Sequence, residues 1–312
     1  MKTILKRIAG FLARHIEERL QDAQPGKKDL AQMQATQAVL RTNAQLLYRQ
    51  TGRAQDLRDT EFSCFSQNFE DGNLFYLFSL IGETNRTAIE ICAGDGIESN
   101  SANLILNHGW RALLIDGNAE QVERGKKFFD ASPASSLQPP IFASRWITRD
   151  NINDLLSEYG FAGEVDLFIL DIDGNDYYVW EALNQVNPRV VMLEFNSVWP
   201  AKARKVIPYA EDFVFEPKPG YWLHYCGASL GAYQSLAQQK GYRLVGIESK
   251  YGFNAYFMRN DVGAEIFPEI DAEEALTKNP HRMAHTPSFR DNPDPEFQAE
   301  LKRVQSMPWL DV

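Results

Sequence analysis

Residues 165–176 read Val-Asp-Leu-Phe-Ile-Leu-Asp-Ile-Asp-Gly-Asn-Asp. Val165–Leu170 is a short apolar run that stops at Asp171, and a run of that length bounded by turn residues reads as a strand buried on both faces. A helical pattern then continues to Leu183, so the unit is strand, polar turn, helix. The same unit recurs on either side. Toward the N-terminus, Thr87–Cys92 reads as a strand, Ser99–His108 a helix, Arg111–Ile115 a strand ending at Asp116, Ala119–Phe129 a helix, Ile141–Trp146 a strand and Asn151–Tyr159 a helix. Beyond Leu183, Arg189–Phe195 is the next strand. An irregular stretch, 196–220, precedes a helix at Ser229–Lys240 and two strands, Tyr242–Glu248 and Phe253–Arg259, joined by a short turn compatible with an antiparallel hairpin. This alternation predicts an α/β protein with a doubly wound, mostly parallel seven-stranded sheet, helices on both faces and a C-terminal antiparallel hairpin. Ligands of such sheets bind beyond the carboxyl ends of the strands, where the glycines and acids of this chain fall.

Residues 90–96, Glu-Ile-Cys-Ala-Gly-Asp-Gly, close the first of these strands. Gly94 and Gly96 let the backbone come close to a ligand. Asp116, closing the next strand, can accept hydrogen bonds from both hydroxyls of a ribose. A dinucleotide site also places an acid about 20 residues past its glycines, but it requires G-x-G-x-x-G. Here Cys92 takes the first glycine position, Ile97 and Glu98 follow Gly96, and no helix start suited to a pyrophosphate is evident. A cofactor without phosphates fits better. Glu90 lies within a strand, where a charge needs a partner, and the glycine loop can supply one. The plainer readings are a simple turn at Asp95-Gly96 and a helix cap at Asp116.

As a set, these residues, the segment 66–72 (Ser-Gln-Asn-Phe-Glu-Asp-Gly), the segment 171–176 and the segment 191–196 (Val-Met-Leu-Glu-Phe-Asn) resemble the FkbM-like group of class I S-adenosylmethionine (SAM) methyltransferases, over roughly residues 62–259. The resemblance implies a Rossmann-like fold and an O-methyltransferase that takes SAM as methyl donor. It implies a sugar or another small hydroxylated molecule as acceptor. Gln67, Asp71, Glu90, Gly94, Asp95, Gly96, Asn100 and Asp116 would form the cofactor site. Cys92 departs from the group's pattern.

Methyl transfer to a hydroxyl needs an in-line nucleophile and a group that removes its proton. Asp171 and Asp173 end one strand, and Glu194 ends its expected neighbour. Three carboxylates converge only with a cation, a proton or a polar substrate among them. Magnesium held by Asp171, Asp173 and Glu194, with Asn196 beside them, would lower the pKa of the acceptor hydroxyl; the same carboxylates can instead position the substrate directly. A calcium loop is excluded, because its sixth and twelfth positions hold Asp176 and Ala182. The catalytic candidates are Asp171, Asp173 and His224, with Asp173 and His224 competing for the role of base. His224 also reads as an ordinary strand-edge histidine, and Asn175 or Asp176 as a helix cap. Tyr177, Trp180, Trp199, Tyr209, Tyr221 and Trp222 read as core residues or as walls of a sugar site. Two other functions stay open: an NAD(P)-linked oxidoreductase, and a catalytically inactive Rossmann-like interaction protein.

Of the 312 residues, 42 are acidic and 32 basic, a net charge of −10, and no basic cluster marks the body of the chain. Nucleic acid is therefore not an expected partner. The three cysteines are widely spaced, which suits neither zinc nor a disulfide framework and points to a cytoplasmic protein. The longest apolar runs, Phe75–Ile81 and Val165–Leu170, fall far short of the roughly 18 residues of a membrane span. Residues 1–58 read as a helical arm, 59–259 as the methyltransferase domain and 260–312 as an acidic, proline-containing tail that is periodic only near Pro295–Val304. In the arm, Ile4, Leu5, Ile8, Phe11, Leu12, Ile16 and Leu20 recur at helical spacing among five basic and two acidic residues. Such a face packs on the rest of the chain, joins a second copy into a homo-oligomer, or lies on an anionic membrane surface as a peripheral contact. A second helix is expected at Lys28–Gln50.

Overall fold

A computed structural model describes residues 27–216, 223–248, 253–277 and 294–312. The apolar face at residues 4–20, the turn at 249–252, and Tyr221 and Trp222 lie outside the described residues.

Among the described residues there are nine strands: β1 (Thr87–Ile91), β2 (Arg111–Asp116), β3 (Ile141–Ser144), β4 (Gly163–Leu170), β5 (Val186–Glu194), β6 (Lys205–Val206), β7 (Tyr242–Ile247), β8 (Asn254–Arg259) and β9 (Leu310–Asp311). Seven of them form the main sheet in the order β3-β2-β1-β4-β5-β8-β7. The first five pair in parallel, and β8 runs antiparallel to both β5 and β7. This is the sheet of the class I methyltransferase fold, as the alternation predicts. The strand order reverses between β1 and β4, so the crevice opens beyond Ile91 and Leu170.

Successive side chains point to opposite faces and both faces are covered, which is why these strands read as continuous apolar runs. Ile89, Ile91, Leu113, Phe168 and Leu170 join one core with Trp180, Tyr233 and Phe257. Ala88, Leu114, Leu167 and Ile169 join the other with Phe78 and Trp110, whose rings meet edge to face at 4.8 Å. Each large side chain so buried contributes about 1.5–3 kcal/mol.

One member of the decisive run is not apolar. Asp166 is fully buried at the amino end of β4, where it accepts the N–H groups of Thr84, Asn85 and Arg86 and pairs with Arg189 at 2.7 Å. Burial alone would raise this carboxyl, but Arg189 and the three N–H groups outweigh it and hold the group below its ordinary value.

The helix expected at Ser99 begins at Ala102, because the N–H groups of Asn100 and Ser101 turn to Glu90. The run Phe75–Ile81, broken only by Ser79, belongs to a helix, Glu70–Ile81, that its mostly apolar sequence does not announce. The arm helix spans Lys27–Thr51 and packs on Glu70–Ile81 and Ala102–His108. In the tail, helices form at Ala272–Thr277 and Pro295–Gln305, and β9 pairs with β6 inside the stretch expected to be irregular. Among the described residues no helix is long and apolar enough to cross a membrane.

Candidate active site

The loop after β1 holds Cys92, Gly94 and Gly96 in the left-handed region, at φ 65°, 57° and 67°. At φ 67° a Cβ on Gly96 would also stand 2.6 Å from Leu114 Cδ1, so glycine lets the loop settle on β2 without strain. Gly94 faces open space, with nothing within 4 Å of where its Cβ would be. Its N–H donates to Asp116 Oδ2 at 2.8 Å, and Asn118 N–H donates to Asp116 Oδ1 at 2.7 Å. Each oxygen keeps acceptor capacity for a ligand hydroxyl. Cys92 reaches the surface of the cleft but has protein on most sides. Desolvation, then the charges of Asp116, Asp171 and Asp173, push its thiol up and keep it protonated.

The other acids before β2 hold backbone. Glu90 is buried and accepts the N–H groups of Asn100 and Ser101, both at 2.9 Å, and the Ser101 hydroxyl. Burial raises its carboxyl against those bonds. Asn100 thus contributes its main chain at this point. Asp95 accepts Ile97 N–H and pairs with Arg124, whose Nε lies 2.7 Å from Oδ2. Asp71 Oδ2 gathers the N–H groups of Cys64, Phe65 and Ser66 at 2.6–2.9 Å, while its buried Oδ1 has no partner among the described residues. Gln67 is exposed on the same loop.

Across the switch point, oxygens of Asp171, Asp173 and Glu194 all lie within 4.8 Å of one another. Burial, then the charges of Asp173 and Asp176, pushes Asp171 up to about 8; burial and the same cluster raise Glu194 well above its ordinary value. Asp173 is also raised, by burial. The trio therefore retains a proton near neutrality, or takes a cation or hydroxyl-rich ligand in its place. Asp173 is held at φ 53°. The clasp is Asp176, 1% exposed at the start of the helix Asp176–Ala182, which accepts Ile172 N–H at 2.7 Å and Gly174 N–H at 2.8 Å. Burial pushes Asp176 up to about 6.

His224 stands close enough to Asp173 for that charge to oppose the lowering that burial imposes on its imidazole. Asn196, expected beside the carboxylates, is spent on backbone. Its Nδ2 donates to the carbonyls of His224 and Cys226, at 2.9 and 3.0 Å, and its Oδ1 accepts Val198 N–H. It orients the His224 segment. Tyr177 and Trp180 are core residues, Tyr209 lies under Arg149, and Trp199 meets Trp309 edge to face. Sequence reasoning did not find Arg124 or Phe215, whose ring meets His224 at 4.9 Å; Arg124 lies 29 residues from Asp95, and Phe215 and His224 both lie outside helix and strand, so neither contact leaves a periodic pattern. Asp176, expected as a helix cap, instead holds the turn before the helix, and Asn175 makes no side-chain cap bond. Cavities of about 550 Å³ beside Gly246 and about 560 Å³ beside Met33 and Phe62 include no residue of the Gly94 loop or the carboxylate trio.

No protein-family model matches this chain, and no curated protein matches it. Solved structures similar to it are remote. Magnesium protoporphyrin IX methyltransferase from Synechocystis PCC 6803, solved with bound SAM, is 14% identical over 61% of this chain and 77% of its own, with a TM-score of 0.38. A SAM-dependent methyltransferase from Clostridium acetobutylicum ATCC 824 is 11% identical over 58% of this chain and 87% of its own, at 0.37. The N-terminal domain of EvdMO1, solved with SAH and D-fucose, is 11% identical over 61% and 82%, at 0.41. At those scores the fold assignment rests on the strand order itself, which is that of the class I methyltransferases.

Proposed function

We propose that this chain is a SAM-dependent O-methyltransferase, FkbM-like, acting on a hydroxyl of a sugar or another small hydroxylated acceptor. The observation that carries the reading is the pairing, across the switch point, of an open Gly94 loop latched to Asp116 with the trio Asp171, Asp173 and Glu194. SAM, when bound, supplies an electrophilic methyl group. Gly94 would leave room for it, and Asp116 would receive its ribose hydroxyls with the lone pairs its backbone bonds leave over. On the other side, the trio would hold the acceptor by its hydroxyls. The proton is then taken at a ring nitrogen of His224, which burial favours in its neutral form, or at a carboxylate oxygen of Asp173. Magnesium would be held by the same trio and would supply Lewis acidity at the acceptor oxygen.

Calorimetry with SAM and with NAD, followed by assays of SAH release, tests the assignment. Asp171→Asn and Asp173→Asn should bind SAM as the unaltered protein does and lose methyl transfer by about 100-fold, the scale of a missing base or activating ion. Loss on adding EDTA and recovery with magnesium would assign the trio to a metal; activity that survives EDTA would assign it to direct positioning. Binding of NAD in place of SAM would reinstate the oxidoreductase, and binding of neither would leave an interaction protein.

A further inference from the structure

Residues 207–216, which follow β6, form a strap tied to segments on both sides of the switch point. Tyr178 Oη donates to Ile207 O at 2.8 Å, Asn175 Nδ2 to Ala210 O at 2.7 Å, and Trp146 Nε1 to Glu211 O at 2.9 Å. Trp146 itself lies on Gly117, the neighbour of Asp116, where a Cβ would stand 3.6 Å from the indole. One part of the strap is thus tied to the cofactor side of the crevice. The other ends on the acceptor side. Phe213 covers Gly174, where a Cβ would meet its Cδ1 at 2.5 Å, and Phe215 meets His224 with ring planes 82° apart. Val214, between them, is 63% exposed, so the two phenyl rings share the inward face of an extended segment.

We infer that this strap is the acceptor-selecting wall of the cleft and that Phe215 is its specificity-determining residue. The inference rests on the methyltransferase reading above. A molecule that carries a hydroxyl into the corner formed by Asp173 and His224 passes the Phe215 ring on the way. That ring offers dispersion and no hydrogen bond, so it selects by the shape of an apolar or C–H-rich face. The polar trio grips hydroxyls whichever molecule bears them. Discrimination among hydroxylated acceptors therefore falls to the strap, and Gly174 is its latch.

The full chain is screened by SAH release against a panel of methyl glycosides and simple polyols, and the best acceptor is kept as the probe. Phe215→Ala should raise the KM for that probe at least about tenfold, with kcat changed less than about threefold, the pattern of lost uniform binding. SAM affinity by calorimetry should not change, and Phe215→Tyr should restore the KM. Gly174→Ala, which unseats Phe213, should also raise the KM and should speed proteolytic cleavage within residues 211–216. An unchanged KM in both alanine variants, or a loss shared equally by kcat and SAM affinity, would overturn the role of the strap and leave the methyltransferase reading standing. A protein that binds SAM but methylates nothing in the panel would overturn the acceptor class and this inference with it. One that does not bind SAM would overturn the reading beneath both.

Discussion

Cys92 and Asp173 stand at φ 65° and 53°, a region that costs an ordinary L-residue about 1–2 kcal/mol. At Cys92 the side chain reaches the surface, so part of the cost is unopposed by packing. Cys92→Gly should therefore stabilise the fold by about 0.5–1 kcal/mol after the extra chain entropy of glycine is subtracted, read as a higher urea midpoint at constant slope. Asp173→Gly should give a similar gain and abolish methyl transfer. That combination marks strain kept at a functional position, and a destabilised variant would show that the side-chain hydrogen bond to Glu194 outweighs the strain. Asp116→Ala removes the acceptor proposed for the ribose and should weaken SAM binding by about 1–3 kcal/mol in calorimetry.

The helix Lys27–Thr51 is joined to Ala102–His108 by one buried polar cluster. Gln37 Nε2 donates to Asn103 Oδ1 at 2.9 Å, and His108 Nε2 lies 2.5 Å from Gln37 Oε1, which it serves as donor in the neutral tautomer. Burial, then the charge of Arg41, lowers His108 to about 4. The unfolded chain binds a proton near its ordinary pKa of about 6.5, well before the folded one does, so stability should fall as pH drops from about 6.5 to about 4, by up to about 3 kcal/mol. Urea titrations across that window should show the loss in the unaltered protein and a shallower one in His108→Gln. Neither helix was hard to find in sequence, yet this joint was not legible. Gln37 reads as one more polar residue on an exposed face, and its partner lies 71 positions away. The same limit governs the site. Gly94, Asp116, Asp171, Asp173 and Glu194 stand at strand ends and follow from the alternation alone. Arg124, Phe213 and Phe215 depend on how separate segments fold over one another, which periodicity does not record. The helix Glu70–Ile81 escaped for another reason: a helix covered on all sides has no polar stripe to give its period away.

Across the whole molecule the sheet has two poles with different duties. At its amino end Asp166 and Arg189 join the segment before β1 to β4 and β5, far from the crevice. Asp166→Ala would leave Arg189 buried without its carboxylate and should cost about 3–5 kcal/mol in chemical denaturation, without weakening SAM binding at temperatures where the variant is folded. Because the folded carboxyl is depressed, this contribution is present above the unfolded pKa of about 3.9 and is lost as pH falls through the lower folded value. The carboxyl end of the sheet is assembled from pieces far apart in the chain. There β6 pairs Lys205 with Asp311 and Val206 with Leu310, and Trp309 reaches back to Trp199 and Tyr225. A ribosome therefore makes β6 about a hundred residues before its partner, an interval of about 5–20 s. The glycine loop and the carboxylate trio are all synthesised in time to fold together. The segment that carries the strap must wait for a neighbour still inside the translation machinery, so the growing chain should gain the capacity to hold SAM before it gains a finished acceptor wall.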